Sequence, residues 1–257
     1  MTRLRLFGFA WLLHFKMLSQ SAFDGFLAIL WPIFFATVTF FMFRNGRGDE
    51  ALGPVALGAA AMGVWTATSV SASSALQRER RLGTLELLVA SPVNLALVLL
   101  PITLATSTIG LYCIVATLLW ARVLFGIHVP IDNPLPFALG IAGIVVTIGS
   151  LGFLMAVAFV RSRRAWAFGA LTEYPIWLIC GFLVPISLLP SWVQPISWLL
   201  GPTWAMRAIR AGSYGGPHAY RDVALSLALA GIYVLIGVAV LKTVLDSARR
   251  SATLSLT

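Results

Sequence analysis

No charged side chain occurs between residues 133 and 160, and nearly every residue in that stretch is apolar. Wound as a helix at about 1.5 Å per residue it would reach about 42 Å, more than the ~30 Å of a bilayer's hydrocarbon core. A helix that is hydrophobic all round has no face to offer to water. Similar charge-poor stretches recur along the chain. Only 11% of its 257 residues are charged while 59% are hydrophobic, whereas soluble domains carry about a quarter charged. Too few polar groups exist to cover a wet surface, so the solvent that fits this chain is the lipid bilayer.

Reading between charges predicts an all-α, polytopic membrane protein. A single transmembrane domain over 1–257 holds six transmembrane helices at 24–43, 51–77, 94–121, 133–160, 166–188 and 223–241. Pro92 delays the start of the third span, and Glu173 and Pro175 interrupt the fifth. With the N-terminus inside, the cytoplasmic side carries Arg3, Arg5, Lys16, Arg78, Arg80, Arg81, Arg161, Arg163, Arg164, Lys242, Arg249 and Arg250. The other side carries Arg44, Arg47, Arg122, Arg207, Arg210 and Arg221. The positive-inside rule therefore places both termini in the cytoplasm and the chain in the cell (inner or plasma) membrane.

Two segments fall outside that hairpin pattern. In residues 1–20, Leu4, Phe7, Trp11, Phe15 and Leu18 form one stripe at helical spacing, with Arg3, His14 and Lys16 elsewhere. This predicts an interfacial helix ahead of the first span; the alternative is an extension of that span. In the outer segment 189–222 and the residues leading into it, Pro185, Pro190, Pro195 and Pro202 break an otherwise apolar stretch too often for one straight span. Trp192, Trp198 and Trp204 suit a membrane interface. The expectation is a re-entrant helical segment before the last span; the alternative is an outer loop with one interfacial helix.

The net charge of +9 comes from basic clusters set between apolar runs. That pattern fits anionic lipid headgroups, and no basic and aromatic platform for nucleic acid accompanies it. Cys113 and Cys180 lie within apolar runs, and His14, His128 and His218 are far apart, so no metal-ligand spacing occurs. The basic N-terminus lacks a small-residue cleavage site of the signal-peptide kind.

Against this background, residues 76–94, LQRERRLGTLELLVASPVN, concentrate charge in one short connector. Gly83 permits a tight turn and Thr84 can cap the helix that follows. Glu86 then falls in the first turn, where the helix dipole favours a carboxylate. Leu85, Leu87, Leu88 and Val89 give a short apolar face, and Pro92 ends or reorients the helix. The product is a small amphipathic helix at 78–93 flanked by charges that can pair with a partner.

The pattern E-R-x-x-G-T-L-E-x-L-x-x-S-P, carried by Glu79, Arg80, Gly83, Thr84, Leu85, Glu86, Leu88, Ser91 and Pro92, resembles the inner loop of type-2 ATP-binding-cassette (ABC) exporter permeases. The resemblance extends to the six spans, the N-terminal interfacial helix and the re-entrant segment. It implies that this loop, with Arg81, is a cytoplasmic coupling helix docking on an ATPase subunit. It further implies two ATPase copies, a second permease as homodimer or related heterodimer, and ATP with Mg2+ on the partner ATPase. Arg161, Arg163 and Arg164 form a second inner cluster, which serves either as a further ATPase contact or as a topology anchor.

A G-x-x-x-x-G-K-[ST] phosphate loop needs a lysine preceded by glycine. The two lysines, Lys16 and Lys242, follow Phe15 and Leu241. No such loop can form, and no cofactor is expected on this chain. No catalytic residues are expected either, since a permease breaks no bond in its cargo.

Four residues are candidates for a substrate path: Glu173, Tyr174, Trp204 and Arg207. An intramembrane carboxylate is a functional candidate by default; Glu173 contacts substrate, pairs with a base such as Arg164, or is held neutral. Arg207 and Arg210 meet lipid headgroups or an anionic cargo. The reading that follows is an ATP-driven export permease for amphipathic small molecules, drug-like or lipid-like. Export of lipid-linked polysaccharide by the same family is the near alternative. From another class, an ATPase-independent secondary transporter would be marked by internal repeats and buried coupling charges.

Overall fold

The computed structural model describes residues 3–20, 30, 33, 34, 36–38, 40, 41, 52–81, 95–158 and 165–251. Among the described residues the regular structure is helical. In chain order the helices are α1 (Arg3–Gln20), α2 (Leu52–Arg81), α3 (Ala96–Phe125), α4 (Pro134–Ala158) and α5 (Ala165–Ile179). A single 3-10 turn at Ile186–Leu188 leads to α6 (Gln194–Trp198), α7 (Gly201–Tyr214) and α8 (Ala219–Ser251).

Three helices among the described residues are long and apolar enough to cross a membrane: Ala96–Phe125, Pro134–Ala158 and Ala219–Val244. They correspond to the third, fourth and sixth expected spans. The other three expected spans each differ. The first, 24–43, lies mostly outside the described residues. The second, α2, has the length of a span at 30 residues, but its glycines, alanines, serines and threonines lower its apolarity. The fifth was expected over 166–188, yet its helix occupies only the 15 residues of α5, about 22 Å at 1.5 Å per residue. The chain leaves helical geometry after Ile179, and Gly181 takes φ +75, a left-handed conformation that glycine adopts without steric cost.

The core forms around α4, which packs against α2, α3, α7 and α8. Of the most apolar window of α4, 67% is buried, against 28% for α8, so α4 is central and α8 peripheral. Trp65, Ile144, Ile148, Phe182, Met206 and Ile209 belong to the main buried cluster. A second cluster joins Ala36 and Phe40 to Leu52, Val55, Ala56, Ala59, Ala121 and Ile127, and Trp120 Nε1 donates to Thr37 Oγ1 at 3.0 Å. Cys113 and Cys180 are both buried, and neither is in a disulfide.

The stripe of α1 faces the bundle as its spacing requires: Phe7, Trp11, Phe15 and Leu18 are half-buried. Trp11 Nε1 donates to Thr108 Oγ1 at 3.3 Å, and Phe15 stacks on Tyr112 with centroids 6.4 Å apart. Thr108 and Tyr112 lie near the middle of α3, so α1 meets that helix halfway along its length. The opposite side mixes exposed Phe9, Leu12, Leu13 and Met17 with exposed Arg5 and Lys16.

The residues between α5 and α8 reach into the bundle. Gly201, the first residue of α7, sits against Thr147 of α4 and Leu229 of α8. Thr147 is 13 residues beyond Pro134, about 20 Å along α4. From there α7 climbs back until its last turn meets the α3–α4 connection: Asn133 N–H donates to Gly212 O at 2.9 Å and Asp132 N–H to Ser213 O at 3.3 Å. Tyr233 of α8 holds the low point. Its hydroxyl donates to Leu199 O at 2.6 Å and accepts from Gly201 N–H at 2.8 Å.

Candidate functional site

Gly83, Thr84, Leu85, Glu86, Leu88, Ser91 and Pro92, expected to form a coupling helix, lie outside the described residues. Glu79, Arg80 and Arg81 are in the last turns of α2, and their side chains lie outside what is described. Residues 161–164 are likewise outside it.

The four residues expected on a substrate path separate into two pairs. Glu173 and Tyr174 are on α5, which packs chiefly on α2 and forms an edge of the bundle among the described residues. The exposed flank of α5 carries Leu171, Tyr174 and Leu178, at the i, i+3, i+7 spacing that places side chains on one face. Glu173 points the other way, into the seam with α2, where Thr66 Oγ1 donates to its Oε1. Both residues are half-buried. Tyr174 meets Trp177 edge-on, with centroids 5.2 Å apart and planes at 72°. Thr66 was not singled out by sequence reasoning; the only signal was the run of small hydroxyl residues in Trp65-Thr66-Ala67-Thr68-Ser69.

Trp204 and Arg207 are on α7 and are tied to α8. Arg207 Nε lies 3.4 Å from Asp222 Oδ2, and its guanidinium sits over the Trp204 ring at 4.8 Å. Trp204 Nε1 donates to Trp198 O at 2.8 Å. Asp222 is buried and also accepts from Arg221 Nη2 at 3.4 Å. One carboxylate thus faces two half-exposed arginines, and the cluster retains one positive charge. Asp222 sits in the first turn of α8, where the helix dipole adds to its stabilisation. Asp222 gave little sequence signal, since a lone acid ahead of an apolar run reads as a span boundary.

Arg210 behaves differently from Arg207, although the two are three residues apart. Its Nη2 donates to Phe182 O at 3.3 Å, and its Nε is buried with no hydrogen-bond partner among the described residues. The expected headgroup or anionic-cargo role gives way to an internal one: α7 uses Arg210 to hold the chain just past the end of α5. Gly58 of α2 approaches the same carbonyl so closely that a Cβ there would collide with it. Phe182 O is therefore the point where α2, α5 and α7 converge.

The arrangement joins an edge helix, a half-depth helical segment and a central bundle. The comparison with curated proteins gives no match. The family model described as ABC-2 type transporter matches residues 6–214, which include the charged connector, α5, α6 and all of α7. Apolar helices of membrane-spanning length and a match over most of its residues agree: the chain is a membrane protein that belongs to the ABC-2 type transporter family, as a permease subunit.

Proposed function

We propose that this chain is the transmembrane permease of an ATP-driven exporter, working as one of two permease copies with two separate ATPase subunits. It moves amphipathic small molecules, drug-like or lipid-like, out of the cytoplasm or inner leaflet. The observation that carries this reading is the edge position of α5. Its flank of Leu171, Tyr174 and Leu178 is exposed, while behind it a carboxylate and a hydroxyl meet in the seam with α2. A second copy facing that flank would enclose a passage with apolar walls and few polar groups, which fits an amphipathic cargo.

In this reading all six expected spans cross the bilayer and both termini are cytoplasmic. Residues 78–93 form the coupling helix, with Glu79, Arg80, Arg81 and Glu86 pairing with the ATPase and Leu85 and Leu88 in its groove. ATP binding with Mg2+ on the ATPase pair moves these loops, and the spans follow as near-rigid bodies. The segment around α6 and α7 enters the outer leaflet and returns. Support for this comes from the family match and from α7 starting halfway along α4.

The test is co-expression with an ABC ATPase encoded beside the permease. Co-purification, vanadate-sensitive hydrolysis and ATP-dependent movement of an amphipathic dye in inverted vesicles are expected. Glu86→Arg is expected to abolish co-purification while membrane insertion persists. Dye movement driven by an ion gradient without any ATPase would replace this reading with a secondary transporter, and stimulation by lipid-linked glycans alone would replace the cargo.

A further inference from the structure

We propose that Glu173, reached through the seam between α2 and α5, recognises the positive charge of an organic cation that has an apolar body. For transport this deepens the exporter reading and rests on it; as a binding site it stands alone.

The charge accounting comes first. An ionised carboxylate has about four acceptor positions, and Thr66 fills one at Glu173. Among the described residues the ion pairs at a carboxylate are those of Arg207 and Arg221, and both go to Asp222. Asp222 is thus a carboxylate compensated by two arginines, whereas no described lysine or arginine forms an ion pair with Glu173.

Depth makes the missing cation matter. Thr66 lies 14 residues after Leu52 and 15 before Arg81, at the middle of α2. A carboxylate at the middle of a bilayer-length helix is costly without a counter-charge, so a bound cation gains more there than at a surface.

The surroundings select the rest of the ligand. Tyr174 follows Glu173 directly and presents an exposed aromatic ring, backed edge-on by the buried Trp177, and ring faces attract cations. Leu171 and Leu178 extend the exposed apolar flank along the same helix. Glu173 is itself only half-buried and Tyr174 beside it is exposed, so a ligand alongside α5 can meet both. An anion would meet the carboxylate with repulsion. A small hydrated cation would gain nothing from the aromatic and leucine surface. A delocalised or shielded organic cation satisfies both.

The experiment uses the full chain in nanodiscs of zwitterionic lipid, with tetraphenylphosphonium and its near-isosteric anion tetraphenylborate as probes. Saturable tetraphenylphosphonium binding is expected, weakened at least tenfold by Glu173→Gln and recovered in part by Glu173→Asp. Thr66→Val keeps the carboxylate and removes its internal donor, so its affinity should stay within threefold of wild type. Tetraphenylborate should bind no more than to empty discs. The proposal is overturned if wild type shows no saturable binding, if Glu173→Gln binds within twofold of wild type, or if tetraphenylborate binds equally. It is also overturned if Thr66→Val loses as much as Glu173→Gln, since that would mark the pair as scaffolding. Charge-selective binding without ATP-dependent movement of the probe would leave this inference standing and sink the exporter reading. ATP-dependent movement of amphiphiles indifferent to Glu173 would do the reverse.

Discussion

Arg210 on α7 donates to the carbonyl of Phe182, just beyond the end of α5, across 3.3 Å. The same carbonyl is packed against Gly58 of α2, so one backbone oxygen is shared by three elements distant in sequence. Arg210→Ala leaves that acceptor unsatisfied and is expected to destabilise the fold by about 1–3 kcal/mol. Arg210→Gln, which keeps a donor, should recover part of the loss. The check is the thermal unfolding midpoint of the purified protein in detergent.

Gly58→Ala tests the other side of that carbonyl. The added Cβ collides with backbone atoms of Phe182, and overpacking of this kind costs about 1–3 kcal/mol. Because Phe182 must shift, the Arg210 hydrogen bond should weaken with it. The double variant Gly58→Ala/Arg210→Ala is expected to lose less than the two single losses combined, by at least about 0.5 kcal/mol. Full additivity would show that the two contacts are independent.

Asp222 is held by two arginines that are each about half exposed, with side-chain exposures of 41% for Arg207 and 54% for Arg221. Either Arg207→Gln or Arg221→Gln alone should cost under about 1 kcal/mol, as exposed partners do. Removing both leaves a buried carboxylate without a counter-charge, for which about 3 kcal/mol or more is expected. The signature is a synergistic fall in the unfolding midpoint, and the triple variant that adds Asp222→Asn should regain part of it.

Tyr233 ties the deep end of the α6–α7 segment to α8 through Leu199 O and Gly201 N–H. Tyr233→Phe removes both bonds and leaves the buried Gly201 amide unpaired, at about 1–3 kcal/mol. Hydrogen exchange at Gly201 should accelerate at least tenfold while amides in the centre of α4 keep their protection. Unchanged exchange would mean that α7 is held in place by its packing on α4 alone.

The long apolar elements were legible because the bilayer enforces length and composition together: α3, α4 and most of α8 fall where the gaps between charges place them. The end of α5 was not. Residues 180–188 contain no charge, and the turn at Gly181 sets the Phe182 backbone against Gly58, a contact that no spacing rule encodes. The α1 stripe was legible from helical spacing alone, and Phe7, Trp11, Phe15 and Leu18 are the half-buried side of that helix. At the candidate site, Glu173 stood out by being costly in such a sequence, while its partner Thr66 was one hydroxyl among many. Arg207 and Arg210 looked alike in sequence and, three residues apart, lie on the same side of α7. About 4.5 Å of rise separates them along the axis, and one meets Asp222 while the other reaches Phe182 O.

The burial of Cys113 and Cys180 has a practical side. Two thiols shielded in the folded protein, one in α3 and one at the end of α5, become reactive when those regions open. A thiol-activated fluorophore therefore reads unfolding from native side chains, with no engineered label. The same shielding means that a single cysteine placed at exposed Leu171 or Leu178 can be modified by a water-soluble maleimide against a quiet background. The surroundings of the α5 flank can then be followed without first removing these two cysteines.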